Sequence, residues 1–201
     1  MFYGWRVVGV CFVAAVFTWG LGVFGASIYL SEISKSHGWP ISVVSTAIAA
    51  FYLTNACCLP AVGGLIDRWG PRLVIRCGAL LLALGVVAIG QLTSLWQLYA
   101  AFICMGLGYA TTSITGLSTT IAPWFERHQG RSFALALTGA SIGAMAVVPL
   151  MVIAIGALGF AEATLRAGLL TAIVMTPLAL LFYGFKDLKN LDWGVMAILQ
   201  P

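Results

Sequence analysis

Side chains without charge come in long runs along this chain, and the runs set the architecture. Residues 7 to 31, 38 to 66, 132 to 161 and 167 to 185 contain no Asp, Glu, Lys or Arg, and residues 77 to 125 form one longer uncharged stretch. About 20 helical residues cross the hydrocarbon of a bilayer. Each shorter run therefore predicts one span, and the long one predicts two, broken near Gln91 to Gln97. Backbone groups in lipid must be paired within their own segment, so the spans are read as helices. The expected fold is an all-α, polytopic membrane protein with six transmembrane helices.

Composition agrees: 61% of the residues are hydrophobic and 8% charged, with a mean hydropathy of +1.03, against about a quarter charged in soluble domains. The lipid bilayer is the first partner this implies, and nothing points to nucleic acid. If the N-terminus is cytoplasmic, Arg6, Arg68, Arg72, Arg76, Arg127, Arg131, Lys186 and Lys189 fall inside, leaving Lys35 and Arg166 outside. That asymmetry predicts a multi-pass protein of the plasma (cell inner) membrane with both termini cytoplasmic. The first span is longer than the core of a cleaved signal, and five more follow it.

Metal, redox and catalytic chemistry have little to work with. Cys11, Cys57, Cys58, Cys77 and Cys104 lie in or at the ends of spans without metal-ligand or redox spacing, and are read as packing residues. His37 and His128 fall in loops, far from any carboxylate pair. No metal, cofactor or enzymatic activity is expected.

Polarity differs among the spans. The third, about 77 to 90, and the sixth are nearly all aliphatic, with Thr171, Thr176 and Tyr183 the exceptions in the sixth, and fit a lipid-facing periphery. The fourth is dense in hydroxyls, and Tyr109, Thr112, Thr115 and Thr119, spaced 3, 3 and 4, stack on one helical face. The second adds Ser45, Tyr52 and Asn55, and the first adds Thr18, Trp19 and Ser27. Any single hydroxyl can bond its own helix, so the combined stripe counts for more than its members. Trp19, Tyr52, Asn55, Tyr109, Thr112, Thr115 and Thr119 are the candidates for contact with a small-molecule substrate.

Residues 63 to 76 place one carboxylate and several guanidiniums in a glycine-rich turn between the second and third spans. Gly63 and Gly70 let the chain leave one helix and enter the next, and Pro71 suits the first turn of the following helix. Asp67 at a helix C-terminus is disfavoured by the macrodipole, so a cation or another helix N-terminus should hold it. Arg127 and Arg131, in the loop after the fourth span, are the expected partners across a helix interface, while Trp124 and Phe125 fit an aromatic belt. In the fifth span Ala136, Ala140 and Ala144, and Gly139 and Gly143, recur every fourth residue, which lets two backbones approach closely in lipid. Gly139 and Gly143 are therefore helix-packing candidates, on a surface that could also rock.

The spacing Gly63-x-x-x-Asp67-Arg68-x-Gly70-x-Arg72 resembles the signature loop between the second and third helices of the major facilitator superfamily of secondary transporters. Six spans with both ends inside resemble its N-terminal half. Leu73 stands where many members carry a further basic residue. Tyr3-Gly4-Trp5-Arg6-Val7-Val8, Gly70-Pro71-Arg72 and Trp124-Phe125 with Arg127 are similar to the monocarboxylate-porter and oxalate/formate-exchanger branch. His128 and Gln129 depart from it, and Ala144, Val147 and Val148 depart from the antiporter glycine pattern that Gly130, Gly139 and Gly143 echo.

The resemblance implies alternating access, with two six-helix halves rocking about a central site lined by the first and fourth spans. Gly63, Asp67, Arg68, Gly70, Arg72, Arg127 and Arg131 would form the gating loop, with Asp67 latching this half against the other. It implies secondary active transport, by symport or antiport, of small organic solutes such as monocarboxylates. Residues 1 to 185 would be one transporter half, and 186 to 201 a cytoplasmic tail or the start of the inter-half linker. The alternative is a truncated or non-transporting six-helix membrane protein that needs a second half. In either case the partner is a second six-helix half or, less favoured, a homodimer mate. No charged side chain sits at mid-membrane, so the expectation is that an anion's counter-charge comes from elsewhere, or that the solute is neutral.

Overall fold

The computed structural model describes residues 3 to 122, 125 and 129 to 181, and the expected tail of residues 186 to 201 lies outside them. The helices are α1 (Tyr3–Phe17), α2 (Ala26–His37), α3 (Ile41–Trp69), α4 (Pro71–Gly90), α5 (Leu95–Thr112), α6 (Ile114–Ile121), α7 (Gln129–Ile142), α8 (Val148–Leu158) and α9 (Phe160–Leu181). A wide π turn, Thr18–Val23, joins α1 to α2, and another, Gly143–Val147, joins α7 to α8. Spans one, four and five are thus each built from two helices.

Five continuous segments are long and apolar enough to cross a bilayer: Gly4–His37, Ile41–Trp69, Leu73–Gly90, Leu95–Ile121 and Gly130–Leu158. The sixth predicted span is α9, whose first two turns carry Glu162 and Arg166. The helices outrun the uncharged stretches because Arg6, Glu32, Lys35, Asp67 and Arg68 continue the helical backbone past the apolar part. Such side chains can reach the headgroup region at helix ends.

Local chemistry explains the ends. Gly38 (φ 67°), Gly70 (φ 81°) and Gly159 (φ 88°) stop α2, α3 and α8 in backbone conformations that suit glycine. Pro71 then starts α4 where a missing N–H costs nothing. The break near Gln91 falls where Thr93 donates its N–H and hydroxyl to Gln97 Oε1, at 2.8 and 2.9 Å, just before α5. At this same end, opposite the Asp67 turn, His37 Nε2 donates to the Leu92 carbonyl at 2.9 Å. That bond ties the first span to the α4–α5 turn, so His37 ends a helix and is no free loop residue.

Packing pairs α4 with both α5 and α9, α3 with α5, and α1 with α7. Small residues make these contacts, as expected where lipid removes the hydrophobic drive between helices. At Gly108 a Cβ would strike the Gly78 carbonyl and the Leu82 backbone of α4, and at Gly139 it would strike the Phe12 carbonyl of α1. The main core gathers Tyr29, Phe51, Phe102, Leu98, Met105 and Leu82 from four of the spans.

Several expectations change at this level. The third and sixth spans are not simply peripheral: each packs one side and exposes an outer stripe that includes Leu80, Leu81 and Leu84, or Leu169, Leu170 and Ile173. Thr171 is fully buried. Cys57 and Cys77 face outward and do not pack, whereas Cys11 is buried. Phe125 is buried against Trp5, with ring centroids 5.8 Å apart, and so is not part of an aromatic belt.

Candidate functional site

Midway along the bundle, three spans bring aromatic rings together. Tyr109 of α5 meets Trp19 of the first π turn edge to face, at 5.7 Å between centroids. It meets Phe51 of α3 likewise, at 5.3 Å. Phe51 in turn abuts Tyr52 at 5.0 Å. Gly22 makes this possible, because a Cβ there would lie 2.8 Å from the Tyr109 ring. Tyr109 is nearly buried, while Tyr52 is exposed and opens the cluster to one side. Such edge-to-face pairs contribute about 0.5–1.5 kcal/mol beyond burial. Asn55, one turn along α3 from Phe51, is half-buried with Oδ1 sequestered and unpaired.

The hydroxyl stripe of the fourth span is not one continuous face. Ser113 takes an extended backbone (φ −75°, ψ −156°) that ends α5 and opens α6, so the helical phase is reset between Thr112 and Thr115. Thr112 is buried and donates to the Gly108 carbonyl at 3.0 Å, and Thr119 donates to Thr115 O at 2.8 Å. Trp19, Tyr109 and Asn55 thus share the middle of the bundle with Thr112, while Thr115 and Thr119 belong to α6.

The signature segment is mostly helix. Gly63 lies inside α3 with open space around it, and α3 continues through Asp67 and Arg68 to Trp69, so the turn itself is Gly70 alone. Gly63 is therefore not a turn residue. Asp67, Arg68 and Arg131 are exposed. Among the described residues the ion pairs are Lys35–Glu32 and Arg166–Glu162, and neither involves Asp67. Arg127, Trp124 and His128, and the side chain of Arg72, lie outside the described residues. The partner expected for Asp67 is thus not supplied by Arg131 in this structure.

Gly139 and Gly143 face α1 and the first π turn, where added Cβ atoms would meet the Phe12 and Val16 carbonyls. A cleft of about 310 Å3 bounded by Ser118, Ile121, Gly130 and Phe133 opens between α6 and α7. It sits near the Asp67 end, apart from the aromatic cluster.

This arrangement of helices and the signature segment agree with a sequence match to the Major Facilitator Superfamily over residues 10–192. The chain belongs to the Major Facilitator Superfamily. Relatives of this superfamily chain include the oxalate:formate antiporter of Oxalobacter formigenes, 23% identical over 76% of this chain and 36% of that protein. Human monocarboxylate transporter 7 is 30% identical over 84% of this chain and 32% of its own length. An uncharacterized 38 kDa protein of Thermoproteus tenax is 30% identical over 82% of this chain and 41% of that protein. The chain thus spans about a third of the length of the curated relatives it matches.

Phe51 was not marked by sequence reasoning, because a lone Phe in an apolar span carries no polar signal. Its place beside Tyr52 and one turn before Asn55 was the available clue.

Proposed function

We propose that this chain is the N-terminal six-helix half of a secondary transporter that moves small organic solutes by alternating access. The aromatic cluster of Trp19, Phe51, Tyr52 and Tyr109 carries the proposal: it lies at mid-depth, joins three spans, and is open at Tyr52. Asn55 and Thr112 sit beside it, and Thr115 and Thr119 extend the polar lining toward the inner end. The relatives named for oxalate, formate and monocarboxylates favour a small carboxylate as the solute.

The inner end is the one that carries Asp67, with both termini cytoplasmic, as the basic asymmetry supports. Gly63, Asp67, Arg68, Gly70, Arg72, Arg127 and Arg131 form the gate. Among the described residues Asp67 is exposed and has no ion-pair partner, and in this reading its partner is on the other half. A second six-helix half covers α3 and α7–α8.

The test is uptake of a labelled carboxylate by proteoliposomes containing the chain, with and without a co-expressed second half. Saturable uptake is expected only with both. Robust uptake by the chain alone would overturn the two-half reading. No uptake with both, across oxalate, formate and acetate, would overturn the carboxylate assignment. Tyr109→Phe should lower affinity by roughly tenfold, for loss of about 1–2 kcal/mol of hydrogen bonding to solute; an unchanged affinity would remove Tyr109 from the site.

A further inference from the structure

A basic side chain stands inside an apolar face of this half. Leu73, Arg76, Leu80 and Leu84 of α4, spaced 3, 4 and 4, lie along one side of the helix, and all four are exposed. Protein closes the other sides of α4. At Gly78 a Cβ would strike Thr111 of α5, and at Gly168 of α9 it would strike Val87 and the Ala83 carbonyl of α4. The exposed side therefore faces what surrounds the bundle, and its leucines suit hydrocarbon.

Arg76 differs from the other described arginines at the Asp67 end. Arg68 lies in the last turn of α3 and Arg131 in the first turn of α7, whereas Arg76 lies about 7.5 Å along the axis from the start of α4. Leu73 stands between it and that start, so lipid that covers both Leu73 and Leu80 also meets Arg76. Its counter-charge is missing from this half. Among the described residues the ion pairs are Lys35–Glu32 and Arg166–Glu162, and the first turn of α4 holds no acidic side chain. A guanidinium on a lipid-facing side needs an anion within its reach, which its long stem extends toward the headgroup layer.

We propose that Arg76 and the leucines beside it are a docking site for an anionic phospholipid, with the headgroup phosphate on the guanidinium and an acyl chain along Leu80 and Leu84. The planar guanidinium can donate to two phosphate oxygens at once. From Arg76 the exposed stripe runs inward through Leu80 to Leu84, about 12 Å of helix, which is the direction an acyl chain takes from its headgroup. A headgroup with net negative charge is favoured over a zwitterionic one, whose own ammonium offsets the phosphate. The inference is independent of the solute site. A lipid held here fixes the depth of α4 beside the Gly70 turn.

The full chain is placed in nanodiscs of equal phosphatidylcholine and phosphatidylglycerol, and the lipids it retains on release are counted by native mass spectrometry. The wild-type chain should retain phosphatidylglycerol over phosphatidylcholine by about fivefold, the size expected for one basic side chain at an anionic surface. Arg76→Gln should bring the retained lipids to the ratio of the mixture, with thermal unfolding unchanged because the side chain is exposed. Arg131→Gln, which removes a basic residue on another helix at the same end, should leave the preference intact. Inorganic phosphate added to the nanodiscs should not displace the lipid. No preference in the wild type, or an undiminished one in Arg76→Gln, would overturn the site. An equal loss in Arg131→Gln would also overturn it, since the attraction would then belong to the whole basic surface. Displacement by phosphate would replace the lipid with a free anion and overturn the assignment.

Discussion

The outward faces of α4 and α9 differ in composition from those of α3 and α7. The first pair shows lipid a stripe of large aliphatic side chains, Leu80, Leu81 and Leu84 on one helix and Leu169, Leu170 and Ile173 on the other. The second pair mixes small and hydroxylated residues, Ser45, Ala49, Ala56 and Gly64 on α3 and Ala134, Thr138 and Ser141 on α7, with large ones such as Leu53, Leu65 and Leu135. Burial separates them as well. In the most apolar stretch of each span, 17% of the second and 11% of the fifth is buried, against 44% of the third. Large aliphatic groups fill space well in hydrocarbon, whereas small residues gain chiefly from another helix at close range. The aliphatic stripes of α4 and α9 suit hydrocarbon, and the small residues among those of α3 and α7 leave room for another helix at close range.

The largest effect that would break this contrast is a side chain added at a closed interface compared with one added on the open face. Gly108→Val drives a β-branched group into the Gly78 and Leu82 backbone, and Gly64→Val meets nothing within 4 Å. The first should cost about 3 kcal/mol, at the upper end for overpacking, and the second should leave thermal unfolding in detergent nearly unchanged. Equal loss would mean that the open face is already packed.

A subtler effect separates the two outer faces. Ala56→Trp on α3 should leave the chain folded and reduce co-purification of a second half by tenfold or more. Leu84→Trp on the aliphatic stripe of α4 should leave co-purification intact. The reverse order would place the partner against α4.

The smallest effect concerns Thr171, which stands inside the α4-facing side of α9 and donates to Ala167 O at 2.7 Å. Thr171→Val keeps the volume and removes a bond made within its own helix, so a loss of about 0.5–1 kcal/mol in unfolding is expected. A loss above about 2 kcal/mol would show that the hydroxyl also holds α4, and that this side depends on polar contacts after all.

Much of the architecture was legible in one dimension. Runs without charge can be counted, and lipid forces each into a helix because no water is present to pair the backbone. The same holds for Gly70 followed by Pro71, and for the polar break before Leu95, where local backbone chemistry ends a helix whatever surrounds it. Family membership was also written in the spacing of Asp67, Arg68, Gly70 and Arg72.

The site was less legible. Periodicity placed Tyr109, Thr112, Thr115 and Thr119 on one face only by assuming an unbroken helix, and Ser113 interrupts it. Nothing in the neighbouring residues distinguishes Ser113 from a serine that continues a helix, so the interruption depends on how α4, α1 and α5–α6 pack together. The partner of Asp67 was sought on Arg127 or Arg131 because sequence gives the end of the bundle and not the azimuth of a side chain.

By itself, then, the sequence determined the helical spans, their alternation across the membrane and the family, because those depend on hydrophobicity and backbone chemistry summed over short windows. The tertiary structure alone decided that Phe51 joins Trp19 and Tyr109, that Thr171 is inside, and that the fourth span breaks at Ser113. Those facts depend on the rotation of each helix about its axis and on where a helix breaks, and both are set by the close contacts of small residues from distant parts of the chain.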